Sequence, residues 1–345
     1  MDKQRKVKRK LTPIGKLLVF IAGLTLIALL LNAFGIFDKK DKDTGKDKNK
    51  AEQTIKYDSD EFMPKVIYAK KTKDTAKLKT DSQFGILINL DKNEIVATKN
   101  GDERFYPASM TKIMTLLVAV ENMESLDDTF TFTNEVIDPL VMENLSRAGF
   151  ESGEEVTVKD MLYGCVLPSG ADATYGLAVT IAGSEREFVK LMNDKANSLG
   201  LKNTHFVNVS GLHDDRHYST PHDIALILDY AMQNKTCAEI LSTVKYTTAK
   251  TPQHPKGIEL ENTMFSRMYG TEAEDVIISA GKTGYTTESG NCLASYAENA
   301  DGEKFILVTG KASNFWKSIY DALNTYSEFC GNGTINIPNQ DALNY

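Results

Sequence analysis

Cysteine is scarce in this 345-residue chain, and the four present follow no recognisable spacing. Cys165, Cys237, Cys292 and Cys330 form no C-x-x-C pair and no metal-ligand rhythm, which argues against a zinc ribbon or a redox dithiol. Each sits among apolar neighbours, the setting of a buried free thiol; outside the cell, one or two disulfides remain the alternative. Positive charge is also short once the first turn of the chain is set aside. Residues 1–16 carry seven Lys/Arg and one acid, leaving 33 basic and 46 acidic residues in the remainder. So acidic a body lacks the basic face that phosphate recognition needs, so no nucleic acid is expected as partner. No internal repeat is present, and neither G-x-S-x-G nor H-E-x-x-H occurs. The first absence removes the common serine-hydrolase elbow, the second the helical zinc-peptidase site. His205, His213, His217 and His222 crowd together, but Tyr218-Ser219-Thr220-Pro221 would break a helix there. They read as loop histidines with local hydrogen bonds, and no metal is expected.

What is present begins with an uncharged run. Residues 17–37 hold 21 residues without a charge, enough for a helix of roughly 30 Å, the thickness of a bilayer core. Lysine-rich segments flank it on both sides, unlike a core helix. The reading is a basic cytoplasmic segment (1–16), a transmembrane anchor (17–37) and a charged stalk (38–62) too poor in apolar residues to fold. A cleaved signal peptide is the rival, with an unusually long apolar region and only weak sites at Ala33 or Gly35. Seven Lys/Arg precede the span and six follow within residues 39–50, so charge alone barely orients it.

Residues 84–98 (FGILINLDKNEIVAT) are two β-type runs around an Asp-Lys-Asn-Glu turn, a hairpin signal. A helix is expected from about Ser109 to Met123, with apolar positions nearly all round it, as in a core helix. Helical pattern dominates 133–235. Strand pattern returns at 277–280, 292–298 and 304–310, and a last helix at 314–329. Strands at both ends with helices between imply one sheet whose strands are distant in sequence, plus a helical insertion. The folded domain is expected over 63–330, with a polar tail at 331–345.

Acyl transfer needs a nucleophile, a base and oxyanion donors. Lysine serves as base where burial lowers its pKa, provided it touches the nucleophile. S-x-x-K puts the two on one helix face, because positions i and i+3 are neighbours there. The chain holds three such patterns: Ser109–Lys112, Ser242–Lys245 and Ser279–Lys282. Only the first opens a buried helix, where free N–H groups favour negative charge. Ser242 precedes a β-like run and Ser279 lies in an extended one, so context selects Ser109. Two further elements are Leu-Pro-Ser169-Gly170-Ala171-Asp172 and Gly281-Lys282-Thr283-Gly284-Tyr285-Thr286. Alone, one is a helix cap and the other a polar edge strand.

In this order the three are the motif set of penicillin-binding proteins and serine β-lactamases. Together with YPASMTKIMT, LPSGADAT, FVNVSGLHDDRHYSTPHDIA and GKTGYTTESGNCL, the chain from about 80 to 330 resembles the low-molecular-weight penicillin-binding D-alanyl-D-alanine carboxypeptidases. The resemblance implies an α+β, β-lactamase/DD-peptidase-like fold: an antiparallel sheet flanked by helices with a helical subdomain. It implies a serine-type carboxypeptidase acting on peptidoglycan stem peptides ending in D-Ala-D-Ala, with β-lactams as inhibitors and no cofactor. Ser109 would attack the carbonyl between the two D-alanines and Lys112 take its proton. Ser169 would relay protons to the leaving D-Ala with Lys282, while Lys282 and Thr283 of the Lys-Thr-Gly284 triplet hold the terminal carboxylate. The N–H groups of Ser109 and Tyr285 would form the oxyanion hole. Peptidoglycan lies outside the cytoplasmic membrane, which orients the span and places the catalytic domain on the extracytoplasmic side of a single-pass cell-membrane protein.

The chain departs from the pattern at Ala171, where the family usually has Asn; a slower enzyme or an altered preference is expected. Asp172 could compensate, but an acid beside Lys112 would raise its pKa and oppose its role as base. Many relatives continue with a β-rich domain and an amphipathic helix, whereas here 61 residues follow Gly284, and the N-terminal span is expected to serve as anchor instead. The rivals are a β-lactam or muropeptide sensor, an inactive binding module of the same fold, and a β-lactamase, for which no deacylating Glu stands out.

Overall fold

The computed structural model describes residues 67–337. The basic segment, the expected anchor and the stalk lie outside the described residues, as do the last eight positions of the tail. Among the described residues no helix is long and apolar enough to cross a membrane.

The first strand, β1 (Lys70–Lys77), is followed by the hairpin expected from the pattern, β2 (Phe84–Asn89) and β3 (Glu94–Lys99). The chain closes the same sheet much later with β8 (Glu272–Ala273), β9 (Val276–Thr286), β10 (Gly290–Asn299), β11 (Lys304–Ala312) and β12 (Ile335–Asn336). The order across the eight strands is β1-β3-β2-β11-β10-β9-β8-β12. The sheet is mixed rather than purely antiparallel: β1 runs parallel to β3 at one edge. Polar, lysine-rich KKTKDTAK gave no strand signal; it survives as an edge strand, where charge is tolerated and resists further pairing. At the other edge Ile335 pairs with Ala273, so part of the tail joins the sheet.

Alternation along the central strands explains why they read as continuous apolar runs. Ile86 and Ile88 face one side and Leu87 the other; Ile306 and Val308 oppose Phe305 and Leu307 in the same way. One face packs on the last helix, α9 (Phe315–Cys330), through Ile319, Leu323 and Tyr326. The remaining helices cover the other face, except the last of them, whose Met264 and Met268 pack with α9. These are α1 (Thr111–Asn122), α2 (Asn134–Met142), α3 (Val158–Val166), α4 (Ala171–Ala182), α5 (Glu185–Ser198), α6 (Pro221–Gln233), α7 (Lys235–Ser242) and α8 (Thr263–Met268). Two small hairpins sit among them, β4 (Thr129–Thr131) with β5 (Glu155–Thr157), and β6 (Lys245–Thr247) with β7 (Glu259–Glu261). The architecture is α+β, a helix-flanked sheet with a helical region inserted between its two halves.

Helix α1 is the hub of that helical layer. Every residue from Thr111 to Val120 is buried, and α3, α4, α5, α6 and α7 all pack around it. Such a helix holds its register firmly, because any rotation would empty or overfill the space on every side.

On the opposite face, Tyr326 ties α9 to the sheet. Its hydroxyl donates to Ser295 O at 2.9 Å and accepts from Leu307 N at 3.2 Å, within a fully buried setting. Tyr326→Phe is expected to lower unfolding free energy by about 1 kcal/mol, the usual net worth of a buried hydrogen bond. Urea titration followed by tryptophan fluorescence would measure it; an unchanged midpoint would show that α9 is held by apolar contact alone.

Candidate active site

Ser109 lies on a single 3-10 turn, Ala108–Met110, that leads directly into α1. The helix therefore starts two residues later than the sequence pattern suggested, yet Ser109 and Lys112 still share a face. The Lys112 Nζ donates to Ser109 Oγ at 3.1 Å and to the Ser210 carbonyl at 2.6 Å. Lys112 is 3% exposed, whereas Ser109 is partly open to solvent on an otherwise buried turn. Burial lowers the Lys112 pKa from 10.5 to about 8. Cys165 and Asp172 pull weakly the other way. Desolvation wins because neither acid makes a direct ion pair with the amine. Cys165 itself is pushed up to about 12 by burial, so it is a neutral thiol.

The turn is held under strain. Ala108 has φ +46°, a left-handed value uncommon for a residue with a Cβ. Two glycines admit it. A Cβ on Gly211 would stand 1.9 Å from the Ala108 carbonyl oxygen, and Gly211 itself has φ +83°. A Cβ on Gly284 would lie 3.0 Å from both Pro107 O and Ser109 N. Strand β9 therefore passes against the serine at the Lys-Thr-Gly triplet. Tyr285, one step further, has a side chain 61% exposed.

The sequence-expected residues converge from separate elements. Ser169 sits between α3 and α4 with φ +66°, and its buried Oγ has no protein hydrogen-bond partner. Such a hydroxyl is costly unless something else engages it. Lys282 is 1% exposed and its Nζ donates to Thr283 O at 3.1 Å. Burial, and then the nearby Lys112, hold its pKa well below 10.5. Two ammonium groups in this space oppose each other. The Thr283 hydroxyl bonds the Thr263 hydroxyl at 2.7 Å. The other two S-x-x-K patterns come apart as expected. Ser242 ends α7 while Lys245 is exposed near Glu259, and Ser279 and Lys282 lie on a strand, where i and i+3 point to opposite faces.

Asp172 does not reach toward the lysine. Its carboxylate accepts from the N–H groups of Ala148, Gly149, Phe150 and Ala173 at 2.8, 3.0, 3.3 and 2.8 Å. Burial raises its pKa and those four donors pull it back. It clamps the loop ahead of α3. Ala171 heads α4, 6% exposed, with its N–H on Ser146 O.

The histidines part ways. His217 accepts from Val207 N on Nδ1 and so donates from Nε2 to Thr111 Oγ1, 2.8 Å away. Burial lowers its pKa to about 4, which keeps it neutral. His205 bonds the Arg216 carbonyl, His222 bonds Asp102, and His213 packs its ring edgewise on Tyr106. Among the described residues no cluster of three or more His, Cys, Asp or Glu side chains suits a metal. Cys165, Cys237, Cys292 and Cys330 are all free thiols.

Sequence reasoning missed the Ser210 carbonyl, Thr263 and the thiol of Cys165. Ser210 lies inside the FVNVSGLHDD stretch, so its neighbourhood was visible though its role was not. The loop is shaped by Asn208, whose Oδ1 accepts from the N–H groups of Ser210, Gly211 and Leu212. Thr263 carried no signal at all.

The pairing of a serine with a buried, pKa-lowered lysine, beside a second Ser turn and a Lys-Thr-Gly strand, supports nucleophilic acyl chemistry. Comparisons with known proteins agree. A model of the D-alanyl-D-alanine carboxypeptidase family matches residues 70–314. D-alanyl-D-alanine carboxypeptidase DacF of Bacillus subtilis is 33% identical over 252 residues, which cover 73% of this chain and 63% of that protein. This chain thus spans less than two thirds of that relative's length. D-alanyl-D-alanine carboxypeptidase of Streptomyces sp. is 34% identical over 236 residues, 66% of this chain and 80% of the relative. The crystal structure of Streptomyces K15 DD-transpeptidase matches with a TM-score of 0.64 at 31% identity, over 74% of this chain and 99% of that one. Penicillin-binding protein 5 of Haemophilus influenzae matches at 0.61 and 25% identity, over 71% and 69%. The chain belongs to the D-alanyl-D-alanine carboxypeptidase family.

Proposed function

We propose that the protein is a penicillin-binding serine D-alanyl-D-alanine carboxypeptidase that trims peptidoglycan stem peptides through an acyl-enzyme on Ser109. The observation that carries this reading is the 3.1 Å contact between Lys112 Nζ and Ser109 Oγ, with the lysine brought to a pKa of about 8. In its neutral form Lys112 accepts the Ser109 hydroxyl proton as Oγ attacks the carbonyl between the two D-alanines. The oxygen of that carbonyl gains charge against the N–H groups of Ser109 and Tyr285. Each such donor is worth roughly 3–4 kcal/mol in the transition state. The proton then passes to the leaving D-Ala amine by way of Ser169, whose unpartnered hydroxyl is available for the transfer. Water attacks the ester, Lys112 again serves as base, and Ser109 is restored.

Thr283 and Lys282 hold the terminal carboxylate of the substrate. Burial and the nearby Lys112 disfavour charge on Lys282, and an arriving carboxylate favours it, so binding and charging are linked. The same arrangement fits the carboxylate and strained amide of a β-lactam. Anchoring by residues 17–37, with the catalytic domain on the extracytoplasmic side of the cell membrane, is part of the proposal. It rests on the uncharged run between basic segments and on where peptidoglycan lies.

Three outcomes follow from this scheme. Intact-mass spectrometry of the detergent-solubilised full chain after exposure to penicillin should find one penicillin-sized adduct, absent in Ser109→Ala. An unlabelled, folded native protein would sink the acyl-enzyme. The acylation rate should also depend on pH in a defined direction. Protonation disables the base, so the rate should rise about tenfold per pH unit from about 6 to 8 and level off above. A flat profile over that range would remove Lys112 from the role. Finally, Ala171→Asn should raise turnover several-fold on at least one D-Ala-D-Ala peptide; identical rates on all peptides tested would show that the missing amide costs nothing here.

A further inference from the structure

Thr263 opens α8, a short helix that belongs to none of the three motifs. It nevertheless touches two of them. Its N–H donates to the Leu167 carbonyl at 3.1 Å, two residues before Ser169. Its hydroxyl bonds the Thr283 hydroxyl at 2.7 Å, within the Lys-Thr-Gly triplet. The placement is fixed from both sides. Asn262 before it is buried, donates its N–H to Val244 O and caps the helix by accepting from Met264 N at 2.9 Å. Met264 after it packs on β9 where only glycine fits: a Cβ on Gly281 would stand 2.6 Å from its sulfur. Thr263 therefore cannot slide along the strand without displacing both neighbours.

We infer that Thr263 is a positioning residue for the substrate carboxylate, acting through Thr283. A hydroxyl has one hydrogen to give. If Thr283 spends it on Thr263, only its lone pairs face the pocket, and these repel a carboxylate. If Thr263 donates instead, the Thr283 hydrogen is free to point at the anion. The Thr263 Oγ1–Thr283 Oγ1 contact permits either sense, and an arriving carboxylate selects the second. Thr263 thus holds the Thr283 hydroxyl in the one rotamer and polarity that suit a carboxylate ligand. The backbone bond to Leu167 keeps the Ser169 turn at a set distance from the same strand, whatever the side chain at 263.

This inference rests on the acyl-enzyme reading, and the test separates the two. Acylation of the full chain would be measured with penicillin and with its methyl ester, which lacks the carboxylate charge, in wild type, Thr263→Val and Thr263→Ser. A wild type that penicillin does not label defeats the underlying reading. In a wild type that is labelled, Thr263→Val should lower acylation by penicillin about tenfold, the scale of one charge-assisted hydrogen bond. Acylation by the ester should change less than about twofold, since that ligand makes no such bond. Thr263→Ser should restore the preference for the acid form. With D-Ala-D-Ala peptides the Val variant should raise KM and leave kcat nearly unchanged, the mark of binding lost equally from ground and transition states. The acid-to-ester ratio is internal to each preparation, so partial unfolding of a variant cancels from it. An unaltered ratio in Thr263→Val, or a serine variant as poor as valine, would overturn the inference.

Discussion

The constraint on which the site depends is the burial of one amine. Lys112 lies on a helix enclosed by five others, its charge far from water and without a direct counter-ion. Lowering its pKa from 10.5 to about 8 corresponds to roughly 3 kcal/mol against the charged form, at about 1.4 kcal/mol per tenfold. The sign of the stability effect follows. Below pH 8 the folded chain carries that cost in full. It is relieved as pH climbs from 8 toward 10.5, where only the unfolded lysine still binds its proton. Stability is thus given up at neutral pH to hold an amine of lowered pKa beside Ser109. The Ser210 carbonyl at 2.6 Å limits the loss, because it hydrogen-bonds the amine without contributing a full negative charge.

Placing that amine is a matter of backbone as much as of side chains. Three chain segments distant in sequence meet at the serine turn: Ala108, the Gly211 loop and strand β9 at Gly284. Each approach needs a missing Cβ or a left-handed residue. Strain at Ala108 and Ser169 persists because neighbours on every side prevent relaxation. The neutral His217 belongs to this scaffold too. By accepting from Val207 N and donating to Thr111, it pins the loop that carries Ser210 to the helix that carries Lys112.

Much of this was legible because it is local. S-x-x-K is readable because i and i+3 share a helix face, and the hairpin and the last three long strands are readable because side chains alternate. The two decoy patterns were separable by context for the same reason, and the structure splits them as that context implied. What was not legible is non-local or carried by backbone. A carbonyl such as that of Ser210 leaves no side-chain signature, and Thr263 gains its partners only when α8 docks on β9. Strand β1 escaped because an edge strand needs no apolar face, and Ile335 because two residues are too few for a periodicity. The expected antiparallel sheet is found, with one parallel pair added at its edge, where β1 joins β3, seventeen residues beyond its own C-terminus.

The substitution at Ala171 brings these threads together. Asn at that position would put a side-chain amide, both donor and acceptor, at the head of α4 where Ala171 has neither. Asp172 cannot stand in, since four backbone N–H groups already hold its carboxylate on the loop at 148–150. Nor would a free carboxylate there help, because it would stabilise the ammonium of Lys112 and weaken it as a base. By binding Asp172 to backbone donors, the fold keeps a necessary acid near the site while spending most of its field elsewhere. The tuning of Lys112 then falls to desolvation and one carbonyl, neither of which requires the amide. The absence of the amide should therefore be felt in the choice and handling of peptides more than in the reactivity of Ser109 itself.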